Sequence, residues 1–164
     1  MKKSCGLPPS GFTLIELLVS IAIMILLVGG GVAAYVRLNS RQQLLRTGRT
    51  VQEYFRAAQK KARVEDKPTG CDHLLSYEVL VPSNALNQIQ LIGECQNGTY
   101  PVTSYNFTFP SPVQSLASFN VHFLVLQGGV TNAGTITLIA NNLQFNFTVD
   151  QGGDMSDGAV TSYP

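Results

Sequence analysis

Hydrophobic residues cluster without period at the start of the chain and alternate toward its end. From Phe12 to Val36 the sequence is almost wholly apolar, and Glu16 is the only charged residue in those 25 positions. At about 1.5 Å of rise per residue, such a run forms a helix of ~37 Å, enough to cross a hydrocarbon core of about 30 Å with some tilt. It is too long for the apolar part of an ordinary signal peptide, and no small-x-small cleavage site follows it, so it reads as a retained segment. Gly29-Gly30-Gly31 interrupts the run, and each glycine weakens a helix by about 1 kcal/mol relative to Ala. Two readings stay open for this triplet: a close-packing face of a membrane helix, or a stretch able to unwind when the helix leaves the bilayer.

From Arg37 to about Arg63 the pattern becomes amphipathic. Leu38, Leu44, Leu45, Val51, Tyr54, Phe55, Ala58 and Ala62 recur mostly at three- and four-residue spacings, as on one face of a helix. The pattern predicts one long helix from Phe12 to about Val64. Pro68 stops it and Gly70 marks a turn. The period then becomes two. Strands are predicted over 74–81, 88–95, 104–109, 119–126, 135–140 and 143–149, with a hairpin turn at 140–142. The fold class is α+β: a long N-terminal helix packed on an antiparallel β-sheet or β-sandwich head.

Charge sharpens this division. All eleven Lys and Arg lie at or before Lys67, and none follows from Pro68 to Pro164. Residues 37–67 hold nine basic residues against three acidic ones, +6, whereas residues 68–164 hold six acids, −6 with His neutral. The basic lower helix and the acidic head suggest electrostatic complementarity between subunits. The chain has three cysteines, Cys5, Cys71 and Cys95. Loss of the first few residues would leave an even pair, which in an exported domain reads as a Cys71–Cys95 disulfide; the other reading is two partly buried thiols.

The motif that carries function is local. "GFTLIELLVSIAI", Gly11 to Ile23, resembles the processing site of type IV pilins and type II secretion pseudopilins. The resemblance implies that a prepilin peptidase cuts between Gly11 and Phe12, that Phe12 is then N-methylated, and that Glu16 acts in assembly. A buried carboxylate needs a positive partner, and the new Phe12 amine of a neighbouring subunit would supply one. The alternative is that Glu16 supports the start of its own helix electrostatically. The implied organisation is a removed leader over 1–11, a transmembrane helix half over 12–36, an amphipathic half over 37–67 and the head over 68–164. The positive-inside rule points the other way, since Arg37, Arg41, Arg46 and Arg49 outnumber Lys2 and Lys3. The leader motif takes precedence, because cleavage requires the leader to face the cytoplasm. The chain is thus expected in the inner membrane, single-pass with its head outside, and then in a pilus or pseudopilus.

The C-terminal part resembles the GspH/FimT group of minor pseudopilins. Phe123, Gly128, Gly134, Ile136, Leu138, Phe145, Val149, Gly152 and Gly153 match its pattern of strands and glycine turns. Asp154 stands where that group often has a basic residue. Some FimT-like proteins bind DNA through C-terminal basic residues. This head has none, and phosphate contacts supply non-specific affinity, so no nucleic acid partner is expected.

Other candidates are weaker. Asp150, Asp154 and Asp157 could offer oxygen ligands to Ca²⁺, but their spacing is not that of an EF-hand loop, and an exposed acidic turn is the plainer reading. His73 and His122 lack metal-ligand spacing, and His122 reads as an ordinary strand residue. Asn97, Asn106 and Asn146 begin N-x-Thr sequons and read as loop or strand residues. No nucleophile–base signature or phosphate loop is present, so neither enzymatic activity nor a cofactor is expected. The sequence therefore points to a structural subunit that partners other pilins or pseudopilins, with a tip-located binding module as the alternative.

Overall fold

The computed structural model describes residues 12–126 and 129–164; of residues 28–31 and 33 it describes the backbone alone. The chain divides into two units, Met1–Leu38 and Asn39–Pro164. One helix, α1 (Leu14–Arg63), contributes to both, and its backbone is helical through Gly29–Gly31.

Within the second unit, the helix buries Leu44, Val51, Phe55, Ala58 and Ala62. These follow the expected stripe. Leu45 and Tyr54 are half-buried against the core, and Leu38 is exposed. Ser40, Thr47 and Gln52 are buried polar members of the same face, and two of them are hydrogen-bonded to the head. Ser40 Oγ accepts from Asn141 Nδ2 at 3.1 Å, and Gln52 Nε2 donates to the Ser156 carbonyl at 3.1 Å.

Nine strands follow: β1 (Leu74–Val81), β2 (Gln88–Cys95), β3 (Gly98–Thr108), β4 (Gln114–Ser115), β5 (Phe119–Leu124), β6 (Val130–Thr131), β7 (Gly134–Ala140), β8 (Leu143–Val149) and β9 (Ala159–Ser162). They form two antiparallel sheets, ordered β3-β2-β1-β5-β6 and β4-β7-β8-β9. The expected α+β architecture is therefore present. Alternation sorts the faces: Ile89, Leu91 and Cys95 of β2 are buried while Gln88, Gln90, Ile92 and Glu94 between them are half-buried. In β8, Phe145, Phe147 and Val149 are the buried set.

Phe55 links the helix to both sheets. Its ring lies 5.9 Å from Phe119 and 6.1 Å from Phe123 of the first sheet, and 5.4 Å from Phe147 of the second. The contacts with Phe123 and Phe147 are nearly perpendicular, at 82° and 90°, the edge-to-face arrangement that aromatic quadrupoles favour. Tyr54 meets Tyr105 and Phe107 of β3, at 5.4 and 6.2 Å.

Three sequence expectations are corrected. β3 starts at Gly98, six residues before the predicted strand, because it is an edge strand and tolerates Pro101. β5 ends at Leu124 rather than 126, and Leu126 takes a left-handed φ of 65° that leaves the ladder. β4, β6 and β9 were not predicted. Two of them have only two residues, too few to show a period.

Candidate functional site

The helix start is built locally. Thr13 precedes the first helical residue, and its carbonyl accepts from the Glu16 and Leu17 amides at 3.1 and 3.2 Å. Its hydroxyl also faces the Glu16 amide at 3.4 Å. Thr-x-x-Glu is the sequence form of a capping box, so Thr13 serves as the N-cap. This role went unrecognised in the sequence reading, although the spacing signals it. Glu16 lies in the first turn, where a negative charge is favourable beside the free amides. Its carboxylate is exposed and thus open to a partner from outside the chain. Gly11, like all of residues 1–11, lies outside the described residues.

Every described side chain from Phe12 to Asn39 is exposed. Phe12 and Leu14 are each 81% exposed, and Leu26 is 76% exposed. At 3.6 residues per turn, consecutive apolar residues cover all faces of a helix, and a helix apolar all round belongs in an apolar environment. Contiguous apolar surface on this scale marks an interaction site with protein or membrane. Among the described residues no helix is long and apolar enough to cross a membrane. The segment expected to span, 12–36, includes the five residues described by backbone alone.

The chain carries the prokaryotic N-terminal methylation motif over residues 9–32. That motif is the signal of type IV pilins and pseudopilins. The matched stretch covers Gly11, Phe12, Glu16 and the apolar start of α1. Comparison with curated proteins and with solved structures gives no match.

The remaining sequence candidates lie in the second unit. Cys71 and Cys95 are bonded, with Cα atoms 5.7 Å apart. The link ties the loop after the helix to the end of β2, and Asn97 reinforces it: its Nδ2 donates to the Gly70 carbonyl at 2.8 Å. Nearby, Tyr77 of β1 is buried and donates its hydroxyl to the Asp66 carbonyl. Burial, with the Asp66 carboxylate second, pushes its phenol up to about 12. Burial likewise raises Tyr54, with Tyr105 as the second cause.

Asp150 is committed to its own turn, where its carboxylate accepts from the Asp154 amide at 2.8 Å. Asp157 instead borders a separate cleft with Arg49 and Arg56. Among the described residues, the acids and histidines whose ligand atoms approach closely enough to share an ion are Glu78, Glu94 and His122. His122 thus does more than the sequence suggested. It lies between two carboxylates contributed by neighbouring strands. Nothing short of the strand register could have revealed that grouping. His73 is exposed and precedes β1. Asn97 is in the β2–β3 turn, Asn106 in β3 and Asn146 in β8.

Proposed function

We propose that this chain is a minor, GspH/FimT-like structural subunit of a type IV pilus or type II secretion pseudopilus. It is cut between Gly11 and Phe12, methylated on Phe12 and assembled by helix packing. The observation that carries this reading is the methylation motif at the head of a helix whose described apolar residues before Asn39 are exposed. Before assembly the bilayer would cover that surface, holding the chain in the inner membrane with its head outside. In a filament the same surface would pack against neighbouring helices.

The assignment to the minor group is supported by where its matching residues fall. Phe123, Ile136, Leu138, Phe145 and Val149 are buried strand residues, and Gly153 turns with a φ of 86° just after β8. Glu16 would pair with the processed amine of a neighbour, and the exposed arginines of the lower helix would face acidic heads. The role is structural rather than enzymatic.

The test is mass spectrometry of sheared filaments. It should report a methylated Phe12 N-terminus and a copy number far below that of the main subunit. A Glu16→Ala chain should be processed yet be lost from filaments. Normal incorporation of that variant would remove the assembly role of Glu16, and an intact leader in filaments would remove the processing reading.

A further inference from the structure

The outer face of the first sheet carries a cluster unrelated to the N-terminal motif. Glu78 on β1 pairs directly with His122 on β5. Glu94 on β2 stands opposite Ser76, two residues from Glu78 along the same face of β1. His122 Nδ1 lies 3.0 Å from Glu94 Oε2, and Nε2 lies 3.8 Å from Glu78 Oε1. One ligand atom from each residue falls within 4.8 Å of the other two. We propose that Glu78, Glu94 and His122 bind one divalent transition-metal ion of the zinc class.

Charge is the first argument. Two carboxylates so close repel unless a cation lies between them. From Pro68 onward the sequence supplies no Lys or Arg, and the side chain that contacts both carboxylates is His122. The side chains are sheltered, at 13% exposed for Glu78, 18% for His122 and 31% for Glu94. Water therefore screens the repulsion only in part, while an ion can still enter.

Geometry is the second. Zinc binds histidine nitrogen and carboxylate oxygen at about 2.0–2.2 Å, so tetrahedral ligand atoms lie roughly 3.3–3.6 Å apart. One ligand atom from each residue, with a single imidazole nitrogen counted, lies within 4.8 Å of the other two, so modest side-chain adjustment closes them to that spacing, and three adjacent strands fix the residues that provide it. The surroundings also orient the ligands, as outer-shell groups do at metal sites. The Ser76 hydroxyl donates to Glu94 Oε2. An imidazole among carboxylates selects transition metals over Ca²⁺ or Mg²⁺, which prefer all-oxygen shells. Three protein ligands leave a coordination position open to water or to a group from another molecule.

The test is zinc titration of the full chain in detergent micelles after chelator treatment, read by calorimetry and by metal content after dialysis. One zinc per chain is expected, with affinity reduced at least about 10-fold in His122→Gln and in Glu78→Gln. His73→Gln should bind as the parent does, and Ca²⁺ and Mg²⁺ should not compete. Zinc should raise the unfolding temperature of the parent but not of His122→Gln, and zinc-free unfolding of each variant establishes that it is folded. No zinc binding by the parent, or equal binding by folded His122→Gln and Glu78→Gln, would overturn the proposal.

Discussion

Gly48 of the helix lies flat against the Phe145 ring of β8. A Cβ at position 48 would come within 2.4 Å of two ring carbons, Cδ1 and Cε1. Gly158 also stands close to the ring, since a Cβ there would lie 1.9 Å from its Cζ. Phe145 is thus clasped between two glycines. Helix propensity alone makes Gly48→Ala stabilising by about 1 kcal/mol. Overpacking reverses the sign, and we expect a net loss of roughly 1–2 kcal/mol. Thermal unfolding of Gly48→Ala, alone and with Phe145→Leu, checks this; a more stable single variant would mean that the ring gives way.

The helix ends on a strained residue. Glu65 holds a left-handed φ of 52°. Its amide bonds to the Ala62 carbonyl at 3.3 Å, and the Asp66 amide bonds to the Lys61 carbonyl at 3.0 Å. This is the Schellman pattern, which usually places glycine at that position. Glu65→Gly should therefore stabilise the chain by roughly 0.5–1 kcal/mol. Glu65→Ala keeps the backbone strain and removes only the charge, so an equal gain in both variants would assign the effect to electrostatics.

The bond between Cys71 and Cys95 closes a loop with a sequence separation of 24. In the chain-entropy account a loop of that size contributes roughly 3 kcal/mol. Paired Cys71→Ser and Cys95→Ser substitution should lower stability by about that amount, and reductant should lower the parent to the same level. Denaturant unfolding with and without reductant measures both, and a parent insensitive to reductant contradicts the expectation.

Tyr77 sets an alkaline limit. The folded chain keeps the phenol proton up to about pH 12, whereas an ordinary tyrosine phenol releases it near 10. Between those values the folded state binds more protons than the unfolded one, so stability falls as pH rises. The contribution is complete below pH 10 and is lost as pH approaches 12. Tyr77→Phe loses one hydrogen bond, about 1 kcal/mol at neutral pH, but should show a shallower decline across that window. Parallel pH profiles for parent and variant would count against Tyr77 as the cause.

The sequence made the clean patterns legible. β1, β2 and β8 match their predicted bounds: β2 and β8 alternate along their length, and β1 does so from Tyr77 onward, past an irregularity between Leu74 and Ser76. The buried helix stripe followed from the three- and four-residue spacing of Val51, Phe55, Ala58 and Ala62. The N-terminal motif was readable because it is contiguous and lies within a single element. What sequence could not supply was register and sheet order. No local signal divides these strands into two sheets, and the meeting of Glu78, Glu94 and His122 depends on which strands pair and at what offset. Gly98 and Pro101 resemble a turn in sequence, yet they stand in β3, where an edge position accommodates them.

The confinement of all basic residues to the first part of the chain has a practical side. Trypsin cuts after Lys and Arg and largely spares Lys–Pro bonds, so Lys67-Pro68 resists it and nothing beyond offers a site. Digestion would leave Phe12–Arg37 within one apolar peptide, cut residues 38–63 into peptides of at most seven residues, and release residues 64–164 as a single large fragment. A tryptic survey of filaments would then have few peptides of useful size by which to register this subunit and would under-count it. A protease that cuts at acidic or aromatic residues would bring the head into view.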